Sequence, residues 1–202
     1  MRLFQKSLLM CVAIGLSLAT ASLAQAAFHL FQISEVYSNA SGSVQFVELF
    51  TDQSSQQFVN LTSLSSSATG HTYNFPAQLP ADSANHHFLV ATPGYAALAG
   101  VPAPDFILPS NNFFSTTADT LTFAGANFPT FTFSSGQLPT DGVNSLNRAY
   151  LGAFVTPPAP TAGVNSPTNF AGQTGTVPEP SAFVLATVAA AGLLWRRRRR
   201  MA

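Results

Sequence analysis

Seven of the eight basic residues in this 202-residue chain lie at its two ends, and each terminal cluster abuts an apolar run. Arg2 and Lys6 precede the apolar stretch 8–19, and the apolar stretch 182–195 is closed by Arg196, Arg197, Arg198, Arg199 and Arg200. Apolar runs anchored by fixed positive charge partition into a bilayer with the charges held on the cytoplasmic side. The ends are thereby withdrawn from any globular core. Whatever folds must fold from the stretch between them.

The N-terminal end has the order of a secretory signal peptide: a basic start, an apolar centre and the small-residue triplet Ala24-Gln25-Ala26. Signal peptidase is expected to cut between Ala26 and Ala27, so that residues 1–26 leave the mature protein. An uncleaved N-terminal anchor is the alternative. At the other end, fourteen residues as a helix rise about 21 Å at about 1.5 Å per residue, against a hydrocarbon core of about 30 Å. That length suits a transient anchor better than a permanent one, with Trp195 where an interfacial ring sits. A run of five arginines also suits a nucleic-acid or nuclear-localisation patch. Its abutment on an apolar helix argues for the membrane instead.

Just before that apolar run stands Pro178-Glu179-Pro180. The tripeptide, the short apolar stretch and the arginine cluster together resemble the PEP-CTERM sorting signal, which places the signal at 178–202. The resemblance implies export by a Gram-negative bacterium, a short stay in the inner membrane and processing by an exosortase on the way to the cell surface or extracellular matrix. It says where the protein goes and little about what it does there.

Between the two signals the charge is one-sided. Residues 27–180 hold Glu35, Glu48, Asp52, Asp82, Asp105, Asp119, Asp141 and Glu179 against one base, Arg148. Such a surface repels phosphate backbones, so nucleic acid is not an expected partner. The only cysteine, Cys11, falls within the signal peptide. A mature chain without thiols has no disulfide framework and no thiolate nucleophile or metal ligand. Its stability must come from packing.

The middle of the chain reads as all-β. Residues 28–37 and 44–50 are rich in Val, Ile, Phe and Tyr, and the Asn, Ser and Gly residues between them supply turn chemistry, which predicts a hairpin. Further strands are expected at 72–75, 87–91, 105–108, 120–123 and 130–133, with one helical turn at 94–100. Leu121-Thr122-Phe123 and Phe131-Thr132-Phe133 alternate as strands with one buried face do. Many short strands separated by turn signals predict a sandwich or barrel over 27–155. The Pro/Thr/Gly/Asn-rich stretch 156–177 is expected to be an extended linker between that domain and the membrane.

Ile33-Ser34-Glu35-Val36 followed by Phe46-Val47-Glu48-Leu49 resembles the opening hairpin of bacterial lamin-tail-like domains. The resemblance continues through Phe75-Pro76, Leu79-Pro80, Phe88-Leu89-Val90-Ala91 and Asp119-Thr120-Leu121 to Ser145-Leu146-Asn147-Arg148 and the Pro/Asn-rich close at Asn169. It implies an immunoglobulin-like β-sandwich.

Local motifs for chemistry are few. His86 and His87 are neighbours on an expected strand, so they point to opposite faces and cannot share a metal. No HExxH spacing and no G-x-S-x-G elbow is present, and Ser65-Ser66-Ser67 reads as a loop. Glu35 and Glu48 are placed to face each other across the first hairpin, where two carboxylates repel. Calcium would relieve that repulsion, but no EF-hand-like loop accompanies them, and hydrogen bonding to backbone or solvent at the sheet edge is the simpler expectation. No catalytic residue, metal site or cofactor is therefore assigned. Sixteen phenylalanines between Phe28 and Phe170 either fill the core or leave some exposed as a binding patch. The expected function is a non-catalytic surface or matrix protein binding exopolysaccharide or another surface protein. The alternative is a secreted hydrolase with a site assembled from scattered Asp, Glu and His. Exposed aromatics on one sheet face would favour the first, and a cleft holding perturbed acids the second.

Overall fold

The computed structural model describes residues 30–125 and 128–178. Ten strands make up nearly all the regular structure. They are β1 (Gln32–Ser38), β2 (Gln45–Thr51), β3 (Ser63–Ser66), β4 (Thr72–Asn74), β5 (His86–Ala91), β6 (Phe106–Ile107), β7 (Asp119–Phe123), β8 (Phe131–Phe133), β9 (Asn144–Asn147) and β10 (Thr161–Val164). A 3₁₀ turn at Val59–Leu61 and the four-residue helix α1 (Pro93–Ala96) complete the set. The expected all-β class holds.

The strands form two sheets, one of six strands in the order β10-β9-β1-β2-β5-β6 and one of four in the order β4-β3-β7-β8. Pairing is antiparallel except between β5 and β6. Val36, Val47, Leu49, Phe88 and Val90 from the large sheet meet Leu64, Leu121, Phe123, Phe131 and Phe133 from the small one in a single apolar cluster. Phe88 sits at its centre, edge-on to Phe31, Phe75, Phe106 and Phe123 with centroids 4.7–6.1 Å apart. Each fully buried phenylalanine contributes roughly 1.5–3 kcal/mol of apolar transfer. That face-to-face packing is the β-sandwich.

The phenylalanines are core, not patch. Among those described only Phe154 is exposed, at 85 %. The aromatic binding face that their number suggested is absent from the described residues.

A β-bulge shapes the first hairpin. Ile33 pairs with Leu49 and Glu35 with Glu48, which leaves Ser34 as an extra residue. Strict alternation would put Ile33 and Glu35 on one face. The bulge turns Ile33 into the core and Glu35 to the far side. In the connecting turn Gly42 has φ +70°, and a Cβ there would lie 1.9 Å from Asn112 Oδ1, so only glycine fits.

The far face of the large sheet is also covered. Tyr37, Phe46, Leu89 and Ala91 form a second cluster with Tyr95 of α1 and with Val177. The expected linker over 156–177 is thereby overturned. Residues 161–164 pair with β9 as β10, and Asn165, Asn169, Phe170 and Val177 are all buried. The domain continues to Val177 instead of ending at 155. The segment lacks apolar periodicity because hydrogen bonds to buried side chains order it, and composition does not reveal those. Likewise Ser65 and Ser66, expected in a loop, belong to β3, held between β4 and β7.

Candidate functional site

Three carboxylates lie in a row across the far face of the large sheet, on β1, on β2 and on the residue before β6. Glu35 and Glu48 are 2 % and 4 % exposed. They directly oppose each other in the strand register, in the interior of the sheet and not at its edge. Asp105 is half-buried beside β5 and accepts a hydrogen bond from the Leu89 backbone N–H at 2.8 Å.

Each carboxylate also takes one backbone N–H from the C-terminal segment, at alternate residues. Ser166 N donates to Glu35 at 2.9 Å, Thr168 N to Glu48 at 2.6 Å and Phe170 N to Asp105 at 2.9 Å. Alternate amides of an extended chain point the same way, so the segment lies over the row as a strap. A bridge between Thr168 and Thr174 folds the strap back on itself. The return ends with Val177 N donating to Asn165 Oδ1 at 2.6 Å.

Both glutamates accept further hydrogen bonds. Glu35 accepts from Ser145 Oγ at 2.6 Å and Ser166 Oγ at 3.1 Å. Glu48 accepts from Ser34 Oγ at 3.0 Å and contacts His87 Nδ1 at 2.7 Å. Burial raises the pKa of Glu35 above its usual value, the bonds from Ser145 and Ser166 oppose the rise, and the charge on Glu48 adds to it. Burial likewise raises that of Asp105 against the pull of the Leu89 and Phe170 amides. Repulsion between the paired glutamates is thus offset by donated hydrogen bonds. Among the described residues no group of three His, Cys, Asp or Glu is placed to hold a metal ion.

A fourth buried acid, Asp119, does the same work in the small sheet. It accepts from Ser66 Oγ, Ser67 Oγ, Ala68 N and Ser115 N between 2.5 and 3.2 Å, tying two loops to the start of β7. Two surface clefts contain neither acid nor histidine. One is lined by residues 60–63, Asn74, Ala124 and Gly125. The other is lined by Arg148, part of 128–132 and residues 156–160.

The histidines separate as alternation requires. His87 turns to Glu48 and Phe50, whereas His86 stacks on Phe170 at 4.6 Å. His71 lies directly before β4, beside Phe113. Of the sorting residues, Pro178 is half-buried directly after Val177. Ala24, Ala26, Glu179, Pro180 and Arg196–Arg200 lie outside the described residues, as do the expected signal peptide over 1–26 and the apolar stretch 182–195. Among the described residues no helix is long and apolar enough to cross a membrane. The carboxylate row, by contrast, escaped sequence reading. The acids were visible, but their partners at 145, 166, 168 and 170 lie more than sixty residues away, in a stretch without strand character.

The family described as the PEP-CTERM protein-sorting motif matches residues 176–199. No curated protein and no solved structure matches the chain. The matched tail marks an exported protein that is sorted through the membrane to the cell surface as an exosortase substrate. The match begins at residue 176, so its first residues, including the buried Val177, belong to the folded domain.

Proposed function

We propose that this is a non-catalytic surface or extracellular-matrix protein of a Gram-negative bacterium. Its immunoglobulin-like, lamin-tail-like sandwich binds polysaccharide or another protein. A signal peptide over 1–26 starts export, and the Arg-rich tail holds the chain in the inner membrane until exosortase acts at Pro178-Glu179-Pro180. The observation that carries the non-catalytic reading is the occupancy of the buried and half-buried acids. Glu35, Glu48, Asp105 and Asp119 each accept several hydrogen bonds from fixed protein donors, three of them under the strap. A general acid or base needs a reachable oxygen. A hydrolase site built on these acids would require them, two with raised pKa, to open to substrate.

The experiment is fractionation of the producing cell, with the surface material probed for what co-purifies. Replacing Glu179 with Ala should leave the precursor in the membrane, and replacing Arg196–Arg200 with serine should weaken its retention. Normal release of both variants would remove the sorting part of the proposal. Hydrolysis of matrix material by the wild type, lost in Glu48→Gln, would replace the binding part with the hydrolase.

A further inference from the structure

The strap ends where the sorting signal begins. The family match starts at residue 176, yet Val177 is 5 % exposed and belongs to the cluster of Tyr37, Phe46 and Tyr95. Its N–H donates to Asn165 Oδ1 at 2.6 Å, and Gly175 N donates to Pro167 O at 3.2 Å across the return of the strap. Pro178 follows, half-buried. An enzyme that cuts a peptide bond draws the flanking residues into its own cleft as an extended chain. A flank that is folded and hydrogen-bonded has to open first. The residues before Pro178-Glu179-Pro180 form such a flank.

Chain length leaves little slack. Residues 178–181 alone separate Val177 from the apolar stretch 182–195, and four extended residues span at most about 14 Å. Undocking 165–177 would add thirteen residues, or about 45 Å of reach, while β10 stays paired with β9. The strap is suited to that change. It is fastened to the carboxylate row by single amides on Glu35, Glu48 and Asp105, and its buried aromatic and aliphatic side chains are Phe170 and Val177. A segment with few apolar contacts opens at a lower free energy than the core. Its Thr, Gly and Asn content makes it an extended linker once it is free.

We propose that the strap is a latch on sorting: residues 165–177 have to leave the carboxylate row before exosortase processes the chain at 178–180, so the hydrogen bonds to Glu35, Glu48 and Asp105 set how fast the protein is released. The inference rests on the sorting reading above and adds the folded domain's control over it.

The test follows conversion of the full-length precursor to its processed form in the producing cell after a short labelling pulse. Asn165→Ala removes the acceptor of the Val177 amide, and Thr168→Pro removes the amide that Glu48 accepts. Both positions lie outside residues 176–199, so the signal itself is untouched. Each variant should be processed about fivefold faster or more, because cutting follows the open population when reclosing outpaces it. Each should accumulate as precursor when combined with Glu179→Ala. A bridge should act the other way. A Cβ on Gly175 would lie 3.3 Å from Pro102 Cγ, within reach of a disulfide, and no native cysteine follows Cys11 to compete. The chain carrying Pro102→Cys and Gly175→Cys should be processed slowly until a reductant opens the bridge. Wild-type rates in both loosened variants, beside accumulation of Glu179→Ala, would overturn the latch and leave the sorting reading standing. Full-speed processing of the bridged chain would do the same. Cutting of the loosened variants that survives Glu179→Ala would assign it to another protease and overturn the latch. Normal processing of Glu179→Ala alone would remove both the latch and the sorting reading.

Discussion

Glu35 and Glu48 stand opposite each other on adjacent strands, both almost wholly buried, and each holds a different amide of one strap, Ser166 N at 2.9 Å and Thr168 N at 2.6 Å. Two like charges in apposition ordinarily destabilise a sheet. Here they are the means by which a mostly polar segment, with Phe170 and Val177 as its buried apolar residues, is fastened across it. Asp105 extends the row to Phe170.

Removing one fastening should loosen the strap. Glu48→Ala leaves the Thr168 amide without its acceptor, which costs about 1–3 kcal/mol for that group alone. Loss of the Ser34 and His87 contacts adds to it. Denaturant unfolding should register a lower midpoint, and limited proteolysis should cut first within 165–177. Unchanged protection of that segment would contradict the strap.

Truncation tests the domain boundary. A chain of residues 27–178 should unfold cooperatively, whereas residues 27–155 should not, because Glu35, Glu48 and Asp105 lose their amide donors and the Tyr37–Phe46–Tyr95 cluster loses Val177. Circular dichroism melting of the two chains distinguishes them. Equal melting would restore 156–177 as a linker.

The pH dependence follows from the directions of the shifts. Glu35 and Asp105 have folded-state pKa values above the ordinary 4.5 and 3.8. The native state therefore binds more protons than the unfolded one above those values, and these groups make stability fall as pH rises through their folded pKa. Asp52, Asp82 and Asp141 are shifted the other way by hydrogen bonds. Their contribution is present above 3.8 and is lost as pH falls below it. The difference between wild type and Glu35→Gln, measured by melting from pH 3 to 7, should show the wild type losing ground above pH 4.5. A flat difference would mean that Glu35 is not held out of water.

The core is tested at Phe88. Truncation to alanine removes a ring with four edge-on aromatic neighbours and should cost about 3–5 kcal/mol. Leu61→Ala, at a side chain 68 % exposed, should stay within about 0.5 kcal/mol. Chemical denaturation of the pair provides the comparison.

Much of the outcome was legible in the residues themselves. The tail was readable because sorting depends on charge and apolarity in linear order, which needs no folding, and the family match at 176–199 agrees with it. The strand at 87–91, the hairpin at 28–50 and the alternating pairs Leu121/Phe123 and Phe131/Phe133 were readable because a half-buried strand writes its period into local sequence. The facing of Glu35 and Glu48 was also anticipated, though at a sheet edge and with the bulge at Ser34 unseen.

Other features have no local signature. β10 is Thr-Ala-Gly-Val and the strap is polar apart from Phe170 and Val177, so neither shows the apolar period that advertises burial. Both are ordered by donors and acceptors that come together only when residues near 35, 48 and 105 meet residues near 166–170. The same holds for Arg148, whose lone charge was plain in the composition while its carbonyl acceptors at Ile33 and Thr130 were not. Sequence by itself determined the C-terminal sorting tail, much of the strand content and the charge imbalance, because each follows from neighbouring residues. Tertiary structure alone decided which acids are buried, what satisfies them and where the domain stops, because a buried polar group is defined by partners distant in the chain.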